Sequence, residues 1–118
     1  MSLLSRLLHR PSAAEPGWIE AETLVARLRS GPAPLVLDVR GAEEFTGPLG
    51  HIAGAVNLPL PELSDHLAEL STQGRPLVTV CKTDRRSATA AAQLRAAGAT
   101  DVTVLRGGME RWRAMGLP

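Results

Sequence analysis

The stretch that decides the fold is "PLVTVCKTDRRSATAAAQLRAAG", residues 76–98. It opens with a short, continuously apolar run, the pattern of a strand buried on both faces. It passes through Lys82, Arg85 and Arg86 into an alanine-rich segment of high helix propensity, which stops at Gly98, a residue suited to a C-terminal cap. The same alternation recurs on either side. "PLVLDV" (34–39) is a second buried-strand run ending beside an acid, "AVNLPL" (55–60) a weaker one flanked by prolines, and "DVTVL" (101–105) a fourth. "WIEAETLVARLRSG" (18–31) carries Ile19, Leu24, Val25 and Leu28 at helical spacing. "PELSDHLAEL" (61–70) puts Leu63, Leu67 and Leu70 on one helix face behind Pro61, which suits a first turn, and "GGMERWRAMG" (107–116) predicts a last short helix. Strand signals alternating with helix signals predict an α/β domain with a mainly parallel central sheet and helices on both faces. In such sheets ligands bind beyond the carboxyl ends of the strands, where Asp38 and Cys81 fall.

The 118 residues, 44% hydrophobic and 21% charged, suit one compact domain with its own core. No apolar run approaches the roughly 18 residues a membrane span requires. One cysteine allows neither an internal disulfide nor a four-cysteine zinc site, and the three histidines, His9, His51 and His66, are scattered. No metal site is therefore expected, and a reducing compartment, the cytoplasm, is the simplest location. The net charge of +1 hides a division. Residues 11–74 hold three basic and nine acidic side chains, a net of −6, whereas from Arg75 onward eight basic face three acidic, a net of +5. A small anion fits that cysteine-bearing half better than a polyanion does, and three aromatics, Trp18, Phe45 and Trp112, are too few to stack bases, so nucleic acid is set aside. "MSLLSRLLHR" (1–10) places Leu3, Leu4, Leu7 and Leu8 on one side of a helical wheel and its basic residues on the other. It could touch a membrane surface, although a loosely ordered terminus or a docked helix is the simpler expectation. Residues 1–16 thus read as an amphipathic leader and linker, and 17–118 as the domain.

Between a strand ending near Cys81 and a helix starting near Ser87, residues 81–86 must form a tight loop. Amides converging at a helix N-terminus create positive potential that favours an anion, including the thiolate form of a cysteine. Lys82, Arg85 and Arg86 add fixed charge nearby. The plain alternative is that Cys81 is one more small buried apolar residue.

Four stretches tip that balance: "LVLDVRGAEEFTGPLGHIAGAVNLP", the loop "CKTDRRS", the helix "SATAAAQLRAAG" and "VTVLRGGMERW". In this order, spanning about residues 17–117, they resemble the rhodanese family of sulfurtransferases. The resemblance implies a small rhodanese-like domain with Cys81 as catalytic nucleophile and persulfide carrier. Lys82, Thr83, Asp84, Arg85 and Arg86 would surround the donor. Sulfane sulfur would pass from thiosulfate or a persulfide donor to cyanide, a thiol or a sulfur-acceptor protein, and the resemblance implies no metal or organic cofactor. Related phosphatases resemble rhodaneses but carry five residues between cysteine and arginine, where this chain has four, so phosphoryl or arsenate chemistry ranks below sulfur transfer. The loop departs from the family's pattern at Asp84, where glycine is common; an aspartate there fits positive φ less easily and brings a negative charge that must turn outward or pair with Arg85 or Lys82. That departure motivates a second reading, a non-catalytic rhodanese-like sulfur-carrier or binding module.

The place of Asp38 in "DVR" suggests that it supports the Cys81 loop or Arg86; otherwise it is a surface acid or a cap. Arg40 and Glu44, four apart, read as a structural pair across one helical turn. Ser87 reads as a helix cap, with Arg86 pointing its guanidinium at the bound anion. His51 in "GHIAGA" reads as part of a turn, and Arg106 as lining the rim of the site.

Overall fold

The computed structural model describes residues 17–118; the leader and linker expected over residues 1–16 lie outside it, and with them His9 and the choice between a membrane-surface contact and a loosely ordered or docked terminus for residues 1–10. Five strands, β1 (Trp18–Ile19), β2 (Leu35–Asp38), β3 (Val56–Asn57), β4 (Leu77–Val80) and β5 (Val102–Leu105), form one sheet in the order β1-β5-β4-β2-β3. Every pairing is parallel, so each connection crosses over the sheet. The crossovers are α1 (Ala21–Ser30), the one-turn α2 (Ala42–Phe45), a 3-10 segment Leu60–His66 running into α3 (Leu67–Ser71), and α4 (Arg85–Ala96); α5 (Gly108–Ala114) follows the last strand.

Both faces of the sheet are covered, as its apolar strands require. On one side Leu37, Val39, Leu77, Val102 and Val104 pack with Leu63, Leu70, Ala90, Ala91 and Leu94 from the 3-10 segment, α3 and α4. On the other, Val36, Val78, Val80 and Leu105 pack with Leu24 of α1 and with Met109 and Trp112 of α5. The small Ala90 and Ala91 are fully buried, so the alanine run lets α4 lie close against β4 and β5. No helix among the described residues is long and apolar enough to cross a membrane.

The sequence reading needs three corrections. Trp18 and Ile19 are not the start of a helix but a two-residue edge strand beside β5, too short to show a period. "PELSDHLAEL" is a 3-10 segment followed by a short α-helix, although Leu63 and Leu70 are buried as the periodicity required. Arg40 and Glu44 do not pair with each other: Arg40 folds back onto Asp38, whereas Glu44 reaches across to Arg86.

Candidate functional site

The loop after β4 carries Cys81 to the N-terminus of α4, which begins at Arg85, two residues before the position expected. Asp84 occupies the N-cap position at φ −133°, so the chain needs no glycine there, and its side chain makes no cap. The sulfur does that work instead. The Ser87 amide, third in the helix, donates to Cys81 Sγ at 3.3 Å, the bond a serine or aspartate cap would ordinarily accept. Ser87 Oγ lies 3.2 Å from the same sulfur and 3.1 Å from the Asp84 carbonyl. That hydroxyl has one proton and two acceptors. With a thiol it can donate to Asp84 while Cys81 donates to it; with a thiolate, which has no proton, only donation to sulfur serves. Cys81 is 2% exposed and otherwise packs against the core, so its polar surroundings are confined to this helix end.

α5 fixes the loop from behind. The amides of Met109 and Glu110 donate to the carbonyls of Cys81 (2.9 Å) and Lys82 (3.0 Å), and Asp84 Oδ1 accepts from the Gly107 amide at 2.8 Å. Gly108, at φ +54°, lies so close that a Cβ on it would overlap the carbonyl oxygens of Cys81, Lys82 and Thr83. With those carbonyls turned toward α5, planar trans peptides direct the following N–H groups away from it. Among the described residues the backbone amides of residues 82–86 have no hydrogen-bond acceptor. The loop thus keeps its donors open beside the sulfur while its acceptors are tied down. This meets the electrostatic need of an anion at a helix N-terminus.

The side-chain cations are less free. Arg86 makes a two-pronged bond to Glu44, Nη1 to Oε1 at 2.7 Å and Nη2 to Oε2 at 2.9 Å. That bond first, and the Gly41 amide after it, hold the Glu44 carboxyl at about 2 against an ordinary 4.5, despite the opposing effect of burial. The same bond raises Arg86 above its ordinary value. Arg40 and Asp38, each 1% exposed, form a second two-pronged pair, and Arg40 also donates to the Gly50 carbonyl at 2.7 Å. Asn57 Nδ2 braces this corner by donating to the carbonyls of Asp38 and Arg40. Beside the loop lies a cavity of about 400 Å³ lined by Arg40, Glu44, Pro48, Leu49, Lys82 and Glu110.

Cys81, Lys82, Thr83, Asp84, Arg85, Arg86 and Ser87 are together at the carboxyl end of β4, with Asp38 at the end of the adjacent β2. Their partners differ from those expected. Asp38 carries Arg40 rather than the cysteine loop or Arg86. Arg86 is bound to Glu44. Asp84 accepts from the Gly107 amide rather than pairing with Arg85 or Lys82. Ser87 is the third residue of α4, not its cap, and touches the sulfur. Arg106 does not line the rim: it pairs with Glu20 at 2.6 Å and stacks over Trp18 beyond the opposite edge of β5. His51 lies flat on Phe45, ring centroids 3.7 Å apart, and donates from Nδ1 to the Phe45 carbonyl, a turn-forming contact. The sequence pattern assigns Glu44 only a local pairing with Arg40 and gives Glu110 no role, yet both carboxylates line the cavity.

A family model described as the rhodanese-like domain matches residues 20–115. The thiosulfate sulfurtransferase GlpE of Ectopseudomonas mendocina is 38% identical over 87 residues, covering 74% of this chain and 76% of that protein. YqhL of Bacillus subtilis is 40% identical over 77 residues, 65% of this chain and 59% of the relative. The HTH-type transcriptional regulator Rv0324 of Mycobacterium tuberculosis is 41% identical over 96 residues, 80% of this chain but 41% of its own length. The chain therefore spans only about half of several curated relatives it matches. Among solved structures, the solution structure of the rhodanese-like domain of Alr3790 from Anabaena superposes with a TM-score of 0.75 at 35% identity, over 88% of this chain and 77% of that one.

Proposed function

Because the chain belongs to the rhodanese-like domain family, we propose that it is a sulfurtransferase that carries sulfane sulfur as a persulfide on Cys81. The observation that carries this reading is the sulfur's seat at the N-terminus of α4, facing the Ser87 amide and hydroxyl, beside a loop whose amides at 82–86 are unpartnered. In the first half-reaction the Cys81 thiolate attacks the sulfane sulfur of a donor. A new S–S bond forms to Cys81, the donor's own bond to that sulfur breaks, and its electron pair leaves with the departing group, which is sulfite when the donor is thiosulfate. In the second, a thiophile such as cyanide takes the outer sulfur and returns the thiolate. The charge carried by the protein is on sulfur in both states, thiolate and persulfide, so open amides and a helix terminus suit it, and an ionised thiol needs no general base. The GlpE relatives, which cover most of their own length in the match, support the same chemistry.

The test is cyanide-dependent thiocyanate formation with the donor in excess. Wild type should turn over and Cys81→Ser should not; equal activity in the variant would remove the reading. A second reading, a sulfur carrier or binding module, is favoured by the 2% exposure of Cys81, by the pairing of Arg86 to Glu44, and by a match to part of a longer HTH-type transcriptional regulator. A module of that kind loads one sulfur per chain but does not turn over.

A further inference from the structure

We propose that the donor taken by this site is the hydropersulfide of a zwitterionic aminothiol acid, R–S–SH bearing a free ammonium and a carboxylate, in preference to a dianion such as thiosulfate. The inference rests on the sulfur-transfer reading above and concerns which donor that site accepts.

The starting point is charge at the cavity beside the cysteine loop, which the loop enters through Lys82 and which Cys81, one residue before it, does not itself line. Its wall holds Arg40, Lys82, Glu44 and Glu110, and behind the wall stand Asp38, bound to Arg40, and Arg86, bound to Glu44. Three cations thus meet three carboxylates, and four of the six are locked in two-pronged pairs. Arg85 is exposed but does not line the cavity, and Asp84 is spent on Gly107. A doubly negative donor approaching a thiolate would find no net cation among the walls and would sit near the Glu44 and Glu110 carboxylates. Juxtaposed like charges disfavour such a partner more than they disfavour a neutral or zwitterionic one.

The two side chains left over define the alternative. Lys82 and Glu110 are both exposed, neither pairs with an acidic or basic group among the described residues, and their backbones are joined by the Glu110 amide to Lys82 carbonyl bond. One opening therefore presents one free ammonium and one free carboxylate, the complement of an amino acid's own pair. Pro48 and Leu49 supply an apolar side for a short carbon chain. At about 400 Å³ the space far exceeds a small tetrahedral ion and suits an amino acid or a short peptide. The step balances without a further reagent. The Cys81 thiolate attacks the outer sulfur of R–S–SH, the Cys81–S bond forms, the donor's S–S bond breaks, R–S⁻ leaves with the electron pair, and the proton stays on the transferred sulfur.

The experiment measures the rate at which Cys81 gains one sulfur, by intact mass under single turnover, with thiosulfate, cysteine hydropersulfide and N-acetylcysteine hydropersulfide. Each rate is divided by that of the same donor with a free thiol, which removes intrinsic reactivity. The proposal expects cysteine hydropersulfide to exceed thiosulfate on this scale by about tenfold or more. It expects Glu110→Gln to slow the free-ammonium donor by about threefold, the size of one exposed ion pair, while leaving the acetylated donor unchanged. A normalised preference for thiosulfate, or equal response of both hydropersulfides to Glu110→Gln, overturns the donor assignment and leaves sulfur transfer standing. Failure of all three donors to load Cys81 removes the sulfur-transfer reading itself.

Discussion

Replacing Asp38 by alanine removes the acceptor of three hydrogen bonds, from the Arg40 amide (3.1 Å), Nε (2.9 Å) and Nη2 (2.8 Å). Arg40 remains 1% exposed, with the Gly50 carbonyl as its only other side-chain partner among the described residues. An unpaired buried charge of this kind costs about 3–5 kcal/mol, most of it the desolvation of the guanidinium rather than the lost attraction. Against the 5–15 kcal/mol typical of a domain, that is a large fraction of total stability, and at about 4–8 °C per kcal/mol it lowers Tm by roughly 12 °C or more. Urea unfolding followed by tryptophan fluorescence measures it, since Trp112 is buried and Trp18 partly so. The control is the double substitution Asp38→Leu with Arg40→Met, which leaves no lone charge and should cost less than Asp38→Ala alone. A loss below about 1 kcal/mol for the single variant, or a double variant showing simple additivity, would refute the claim that this pair is one buried electrostatic unit.

Three further outcomes follow from the same geometry. Gly108→Ala should destabilise the domain by at least about 2 kcal/mol in chemical denaturation, because φ is positive there and the new methyl meets three loop carbonyls. Asp84→Ala should raise hydrogen exchange at the Gly107 amide and lower stability by about 1–2 kcal/mol, whereas Asp84→Asn, which keeps an acceptor oxygen, should recover most of both. The Glu44 carboxyl, held at about 2 by Arg86 against an ordinary 4.5, stabilises the fold above about pH 4.5 and loses that contribution as pH falls toward 2. Both partners are about one-third exposed, so the contribution is screened and stays near or below about 1 kcal/mol; the acid limb of wild type minus that of Glu44→Gln gives it by thermal unfolding.

The parallel sheet was legible because Leu77–Val80, Leu35–Asp38 and Val102–Leu105 are buried on both faces and therefore run apolar without alternation. β1 was not legible: two residues carry no period, and Trp18–Ile19 pair with β5 only because the fold brings that edge to them. The cysteine loop could be placed from the strand before it and the helix after it. Its partners could not, since those depend on elements distant in the chain: Glu44 lies 42 positions from Arg86, and Gly107 lies 23 from Asp84. Local spacing pointed instead to the nearer combinations, Arg40 with Glu44 and Asp84 with its neighbouring cations. The folded chain prefers geometry to proximity, because Asp38 sits within reach of the whole Arg40 fork and Glu44 offers both oxygens to Arg86. The assignment of a cap to Ser87 missed for a related reason, as helix α4 takes its N-terminal acceptor from a sulfur six residues back in the chain.

The most direct measurement of sulfur carriage is the intact mass of the protein after exposure to a sulfane-sulfur donor and removal of excess reagent, with peptide mapping of the product. The account predicts a gain of one sulfur atom, located on Cys81, released on addition of cyanide and absent from Cys81→Ser. An unchanged mass in folded wild-type protein, or an equal gain in the Cys81→Ser variant, would contradict it.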